Sequence, residues 1–128
     1  MRLLLDTHLL LWAAAEPERL PAAAAGLIED AGNVLIFSAA SIWEVAIKAG
    51  LGRADFAVDA GVLRRGLVEN GYEELAVTGA HAAAVAALPP LHRDPFDRML
   101  VAQALVEGVG LVTADPGLKG YPGAVRVV

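Results

Sequence analysis

Arg2-Leu3-Leu4-Leu5-Asp6-Thr7-His8 is an apolar run that an acid stops, and beyond His8 the apolar residues continue unbroken to Ala15. A strand with one wet face alternates polar and apolar side chains. Leu3 to Leu5 do not, so they read as a strand buried on both faces that runs into a helix. The same figure returns at Val34 to Phe37, followed by Ser38 to Ala49 with Ile42, Val45, Ala46 and Ala49 on one helical face and Gly50 and Gly52 to end it. Leu111 to Thr113, introduced by Gly108 and Gly110, is a third such strand, with Asp115 directly after it. Glu73 to Val77 and an edge strand over Val125 to Val128 complete the set. The intervening helices are Ala22 to Ala31, stopped at Gly32 where a φ > 0 cap is expected, Asp59 to Asn70, capped at Gly71, Gly79 to Leu88, ended by Pro89 and Pro90, and Pro95 to Glu107. Strands alternating with helices give an α/β fold with a mostly parallel sheet covered on both faces.

A chain of 128 residues is the usual size of one domain, expected here over 1–128, and buries a core without cross-links. The absence of cysteine excludes a disulfide framework, a zinc ribbon and a thiol nucleophile. No apolar run reaches the roughly 18 residues of a membrane span, so no membrane association and a cytoplasmic location are expected. The apolar fraction of 56% and mean hydropathy of +0.52 exceed what so small a domain easily hides, which calls for a covering partner. The net charge of −5 argues at first against a polyanionic substrate. Set aside Asp6, Glu44, Asp97 and Asp115, however, and eleven acids face ten bases, so the acidity is concentrated where bound cations would neutralise it.

Those four acids share a position in the pattern. Asp6 and Asp115 lie just past strand ends, Glu44 one to two turns into the helix after the second strand, and Asp97 in the first turn of a helix. In open parallel sheets, ligands bind outside the carboxyl ends of the strands, where strand order reverses. Each acid also has a local reading. Asp6 suits an N-cap, Ser41-Ile42-Trp43-Glu44 matches a capping box, Asp94 before Pro95 suits a cap with Asp97 favourable to the helix dipole, and Asp115-Pro116-Gly117 suits a turn. Glu44 fits its local reading least. A helix beginning at Ser38 puts it well inside an almost wholly apolar helix, where a carboxylate needs a cation or a salt bridge to Lys48 at i+4. Four acids at one sheet end are harder to explain as independent caps than as one hard-cation site.

Oxygen-only ligation, with no Cys and no His cluster, selects Mg²⁺ or Mn²⁺, as one or two ions. Such ions acidify water and stabilise in-line displacement at phosphorus, so no covalent nucleophile is required. The chain has no G-x-S-x-G elbow, no Walker-type loop and no G-x-G-x-x-G after its first strand. His81, in an alanine-rich helix, reads as structural, whereas His8 and His92 flank the proposed site. His92, Arg93 and Arg98 are candidate contacts to substrate phosphate, since guanidinium pairs bidentately with phosphate oxygens.

Taken together, Leu3-Leu4-Leu5-Asp6-Thr7-His8, Ser41-Ile42-Trp43-Glu44-Val45-Ala46-Ile47-Lys48, His92-Arg93-Asp94-Pro95-Phe96-Asp97-Arg98 with Ala102-Gln103-Ala104, and Leu111-Val112-Thr113-Ala114-Asp115 closely resemble the PIN-domain ribonucleases, specifically the VapC-type toxins of toxin–antitoxin pairs. The resemblance spans nearly the whole chain. It implies a three-layer α/β/α sandwich, divalent-metal-dependent endonucleolytic cleavage of RNA, inhibition by a cognate antitoxin, and self-association as a homodimer. By position, Asp6, Glu44 and Asp97 match the three metal-binding acids and Asp115 the less strictly required fourth. Asp94 matches a cap or a residue holding a water, and Thr7 and Thr113 match hydroxyls that orient the acids. None of the core acids is missing, which implies an active enzyme. Trp12, in a helix apolar nearly all round, reads equally as buried or as facing a partner.

Two other classes make different demands. A dehalogenase-type phosphatase wants a second Asp two residues after Asp6, where His8 stands, and a receiver wants paired acids at the first strand end. A non-catalytic scaffold whose acids are only caps predicts no response to metal.

Overall fold

In the computed structural model, which describes residues 1–128, β1 (Arg2–Leu5) is the centre of a five-stranded, wholly parallel sheet. It pairs with β2 (Val34–Ser38) on one side and β4 (Gly110–Thr113) on the other, with β3 (Glu73–Leu75) and β5 (Val125–Val127) at the edges, in the order β3-β2-β1-β4-β5. The helices are α1 (Thr7–Ala15), α2 (Ala22–Glu29), α3 (Ala39–Gly50), α4 (Ala60–Glu69), α5 (Gly79–Ala84) and α6 (Pro95–Glu107). Successive strand residues point to opposite faces. Leu3, Leu5, Phe37 and Val112 join a core with Leu9, Leu10, Val45, Phe56, Leu63 and Leu67. Leu4, Ile36 and Leu111 join another with Leu88, Leu100, Val101, Leu118 and Tyr121. Two cores on one sheet are why Leu3-Leu4-Leu5 shows no polar alternation, and each fully buried leucine contributes about 1.5–3 kcal/mol. The three-layer α/β/α arrangement implied by the sequence is present.

The chain departs from the sequence reading in small, explicable ways. β3 stops at Leu75 instead of reaching Val77, as befits an edge strand whose Glu73 and Glu74 side chains pair with Arg2 and Arg64. Gly32 does not adopt positive φ; the turn after α2 is closed by the Asp30 carboxylate, which accepts from the Gly32 N–H at 2.8 Å. The segment after Ala84 tightens into a 3₁₀ turn over Val85–Ala87 ahead of Pro89. Gly71 takes left-handed φ, as expected of a helix C-cap, and so does Gly108, which ends α6 as well as leading into β4. Trp12 is half-buried against the first core, beside the His8 ring and beneath the Arg19 guanidinium. No helix is long and apolar enough to cross a membrane.

Candidate active site

Strand order reverses between β1 and β4, because the chain moves outward from β1 to β2 and β3 and then returns to the other side for β4 and β5. Asp6 leaves β1 at this switch point and Asp115 leaves β4 beside it, with the Asp6 N–H bonded to Val112 O at 2.9 Å. Asp6 is buried and caps α1 with Oδ1, which accepts from Leu9 N at 2.9 Å. Its Oδ2 accepts from the Thr113 hydroxyl at 2.6 Å and from Ala114 N at 2.9 Å. Thr113 in turn accepts from Asp115 N at 3.0 Å, so one hydroxyl ties the two strand-end acids together.

Glu44 lies within α3, whose N-cap is Ser38, and is buried. The structure therefore rejects the capping box at Ser41. The Thr7 hydroxyl donates to Glu44 Oε1 at 2.6 Å and lies 2.9 Å from Ser41 Oγ; having one proton, it accepts from Ser41. Lys48 Nζ meets Glu44 Oε2 at 2.5 Å, so the salt bridge left open by the sequence exists, and it stands 3.6 Å from Asp94 Oδ2. Burial works against the Lys48 charge, but the hydrogen bond and charge of Glu44, then the charge of Asp94, outweigh it and hold the ammonium above its ordinary pKa.

Asp94 caps α6 through Oδ1, accepting from Phe96 N at 2.8 Å and Asp97 N at 3.4 Å. Its own N–H donates to His92 Nδ1 at 3.1 Å, which puts the ring proton of neutral His92 on Nε2, facing Asp115 Oδ2 at 2.8 Å. His92 Nε2 also lies 3.8 Å from Asp97 Oδ2, and ligating atoms of His92, Asp97 and Asp115 all fall within 4.8 Å of one another. With Nδ1 accepting, Nε2 donates, so His92 orients Asp115 and is not turned outward as a phosphate contact. The Gly117 N–H, and secondarily His92, hold Asp115 below the usual carboxylate range.

Asp97 is the exception among the acids. Its carboxylate accepts no hydrogen bond; burial, then the charges of Asp94, Glu44 and Asp6, push its pKa up to about 7 against the weaker pull of His92. The ligating atoms that come together are those of Asp97, Asp115 and His92, whereas Asp6 and Glu44 lie outside that group and act on Asp97 through their charges.

The two arginines part company. Arg93 is exposed and unpaired. Arg98 is not free for substrate, because its guanidinium donates to Pro89 O at 2.9 Å, Val85 O at 3.3 Å and Tyr121 Oη at 3.0 Å. His81 is structural as read, closing a capping box with Thr78 and facing Glu107 at 2.9 Å. Sequence reasoning missed Ser41 and Tyr121. The Tyr121 hydroxyl accepts from both His92 N and Arg98, joining the loop before α6 to the segment after β4. A serine one turn before Glu44 on α3 was a signal that could have found the first; no local pattern marks the second.

The family model of the PIN domain matches residues 3–124. Ribonuclease VapC22 of Mycobacterium tuberculosis is 35% identical over 119 residues, 92% of this chain and 90% of that protein. Among solved structures, the chain is similar to one in the crystal structure of VapBC2 from Rickettsia felis bound to a DNA fragment from their promoter, with a TM-score of 0.69 at 14% identity, covering 100% of this chain and 99% of that one. A domain of a functionally unknown protein from Methanocaldococcus jannaschii aligns with a TM-score of 0.57 at 15% identity, over 99% of this chain and 90% of that one. These two structural likenesses speak to the fold alone.

Proposed function

The chain belongs to the PIN-domain family, and we propose that it is the endoribonuclease toxin of a toxin–antitoxin pair, using Mg²⁺ or Mn²⁺ at the cluster of Asp6, Glu44, Asp97 and Asp115. The observation that carries the metal requirement is Asp97, a carboxylate without a hydrogen-bond donor among three like charges. Burying such a group ionised is costly unless a cation joins it, and carboxylate oxygens suit a hard divalent ion. The residues therefore fit the ion. When bound, it supplies Lewis acidity at phosphorus and acidifies water.

The protein's own groups do the positioning. Leu9 N–H, Ala114 N–H and the Thr113 hydroxyl fix both oxygens of Asp6, Thr7 fixes Glu44, and His92 fixes Asp115. Asp94 holds His92 and the first turn of α6, which keeps Asp97 aimed at the others. Arg93, exposed beside this edge, is the available contact for substrate phosphate, in a role that Arg98 does not share.

The protein partners have surface to occupy. Trp43 and Ile47 on α3 and Leu51 just past its end follow one another at four-residue spacing and are exposed, Trp43 by 64%. A cleft of about 720 Å³ is lined by Ala14, Leu20 and Ile28 on one side and Val58, Leu67 and Tyr72 on the other. These surfaces support a cognate antitoxin and a second copy of the chain as partners.

The test is cleavage of structured RNA by the purified chain with Mn²⁺, with excess EDTA, and with Asp97→Asn. Cleavage is expected only for the unmodified protein with metal; equal cutting in EDTA defeats the proposal. Sequencing RNA ends after brief expression, with and without the neighbouring reading frame, identifies the target.

A further inference from the structure

The geometry points to Lys48 as a resident cation that fills the Glu44–Asp94 half of the acid cluster, so that this chain takes one divalent ion, on the Asp97–Asp115 half, and not two. The inference rests on the metal-dependent reading above and deepens it.

A Glu and a Lys four residues apart pair on many helix surfaces and contribute little. This pair differs in its surroundings. Glu44 is buried, and the ammonium bonded to its Oε2 is only 17% exposed at the side chain. The same ammonium reaches Asp94, on a different element, at 3.6 Å. On its remaining sides it faces two aromatic rings, with Nζ 4.8 Å from the centroid of Phe56 and 5.6 Å from that of Phe96. Ring faces attract a cation, so carboxylates and rings together fix Nζ in place. Lys48 is also the one Lys or Arg paired to the site: Arg53 pairs with Asp55, Arg64 with Glu74, and Arg98 is spent on carbonyls and Tyr121.

Two-ion phosphodiester sites place their ions about 3.5–4 Å apart, each needing carboxylate oxygens of its own. Here the other acids whose charges reach Asp97 are Asp94, Glu44 and Asp6, and both oxygens of Asp6 already accept from Leu9 N, Ala114 N and the Thr113 hydroxyl, which leaves Glu44 and Asp94 to hold a second ion. Glu44 Oε1 already takes the Thr7 hydroxyl, while Oε2 and Asp94 Oδ2 both face the ammonium. Asp97 and Asp115 have no Lys or Arg partner, and the one basic side chain paired with them is His92. The cluster is thus divided into a half with a built-in cation and a half without one. Lys48 is a positioning residue in this scheme: it sets how many ions bind and where.

The experiment is Mn²⁺ titration of the full chain by calorimetry, with free Mn²⁺ followed by electron paramagnetic resonance, on the unmodified protein, Lys48→Gln, Lys48→Arg and Asp97→Asn. Expected are one Mn²⁺ per chain for the unmodified protein and for Lys48→Arg, and none for Asp97→Asn. Lys48→Gln should bind a second ion, or bind the first about tenfold more tightly, because a nearby positive charge is gone. A merely structural lysine would give the opposite, weaker binding on removal, and that outcome overturns the inference. So does a Lys48→Gln protein matching the unmodified one in number and affinity. Should Lys48→Gln fail to fold, two ions on the unmodified protein or on Lys48→Arg refute the inference unaided. A folded, unmodified chain that binds no Mn²⁺ defeats the metal-dependent reading itself and this inference with it, whereas one ion lost in Asp97→Asn leaves that reading standing.

Discussion

Replacing Asp97 by Asn should stabilise the metal-free protein at alkaline pH while removing its response to metal. In the folded chain the Asp97 carboxyl keeps its proton until about pH 7, because burial and the charges of Asp94, Glu44 and Asp6 oppose ionisation. In the unfolded chain the same group ionises near pH 4. Between these values the folded state binds more protons than the unfolded one, so stability must fall as pH rises through that window. A shift of about three pH units corresponds to at most about 4 kcal/mol. Partial hydration and relaxation of the site reduce this to about 1–2 kcal/mol. Asn has the shape of the neutral carboxyl and no charge to repel. Metal-free Asp97→Asn should therefore match the unmodified protein near pH 4 and exceed it by about 1–2 kcal/mol at pH 8, roughly 3–8 °C in Tm for a chain of this size. Circular-dichroism melts of both proteins in EDTA across this range measure the difference, and taking the difference cancels other titrating groups. Saturating Mn²⁺ should then raise the Tm of the unmodified protein alone. Parallel pH profiles, or a variant less stable at pH 8, would refute the electrostatic account of the site.

Thr113→Val keeps shape but removes the donor to Asp6 and the acceptor of Asp115 N–H. It should cost about 1–3 kcal/mol in urea denaturation and reduce RNA cleavage at least about tenfold; an unchanged rate would mean that Asp6 needs no orienting hydroxyl. Arg93→Ala and Arg98→Ala should separate cleanly. The first should alter stability by less than about 0.5 kcal/mol and lower the salt dependence of RNA binding by about one phosphate contact. The second, which strands the carbonyls of Val85 and Pro89, should destabilise by about 1–3 kcal/mol. Equal stability losses would contradict the different roles assigned to them.

The central strands were legible because a doubly covered parallel strand permits no polar residue until it emerges, so Leu3-Leu4-Leu5 and Val34 to Phe37 announce their own burial and the acids after them mark the sheet edge. The edge elements were less legible. β3 carries Glu73 and Glu74, paired with Arg2 and Arg64, because one side faces solvent, and no periodicity marks its end at Leu75. Gly32 was misread because glycine suggests positive φ, whereas the preceding Asp30 side chain supplied the turn. In the site, the identities of the acids were readable but their partners were not. Tyr121 contacts His92 and Arg98 across gaps of 29 and 23 residues, and no local pattern encodes such a closure.

Capping and chelation, opposed when the sequence is read, turn out to be compatible uses of the same carboxylates. A carboxylate offers about four acceptor positions, and a cap consumes one or two. Asp6, Asp94 and Asp115 each cap a helical turn, which places them at positive helix ends and offsets the cost of gathering negative charge. Glu44, without such an end, has Thr7 and Lys48 in its place. Four of the five acids are therefore stabilised by the chain's own donors, and only Asp97 is left facing like charge. Such a site is built before any ion arrives. Metal should then act on one group's ionisation and not on folding as a whole, unlike small domains whose binding energy is their folding energy. On this argument EDTA abolishes cleavage but leaves the far-ultraviolet circular dichroism of the chain unchanged, and a chain that unfolds on chelation would show that the caps do not suffice.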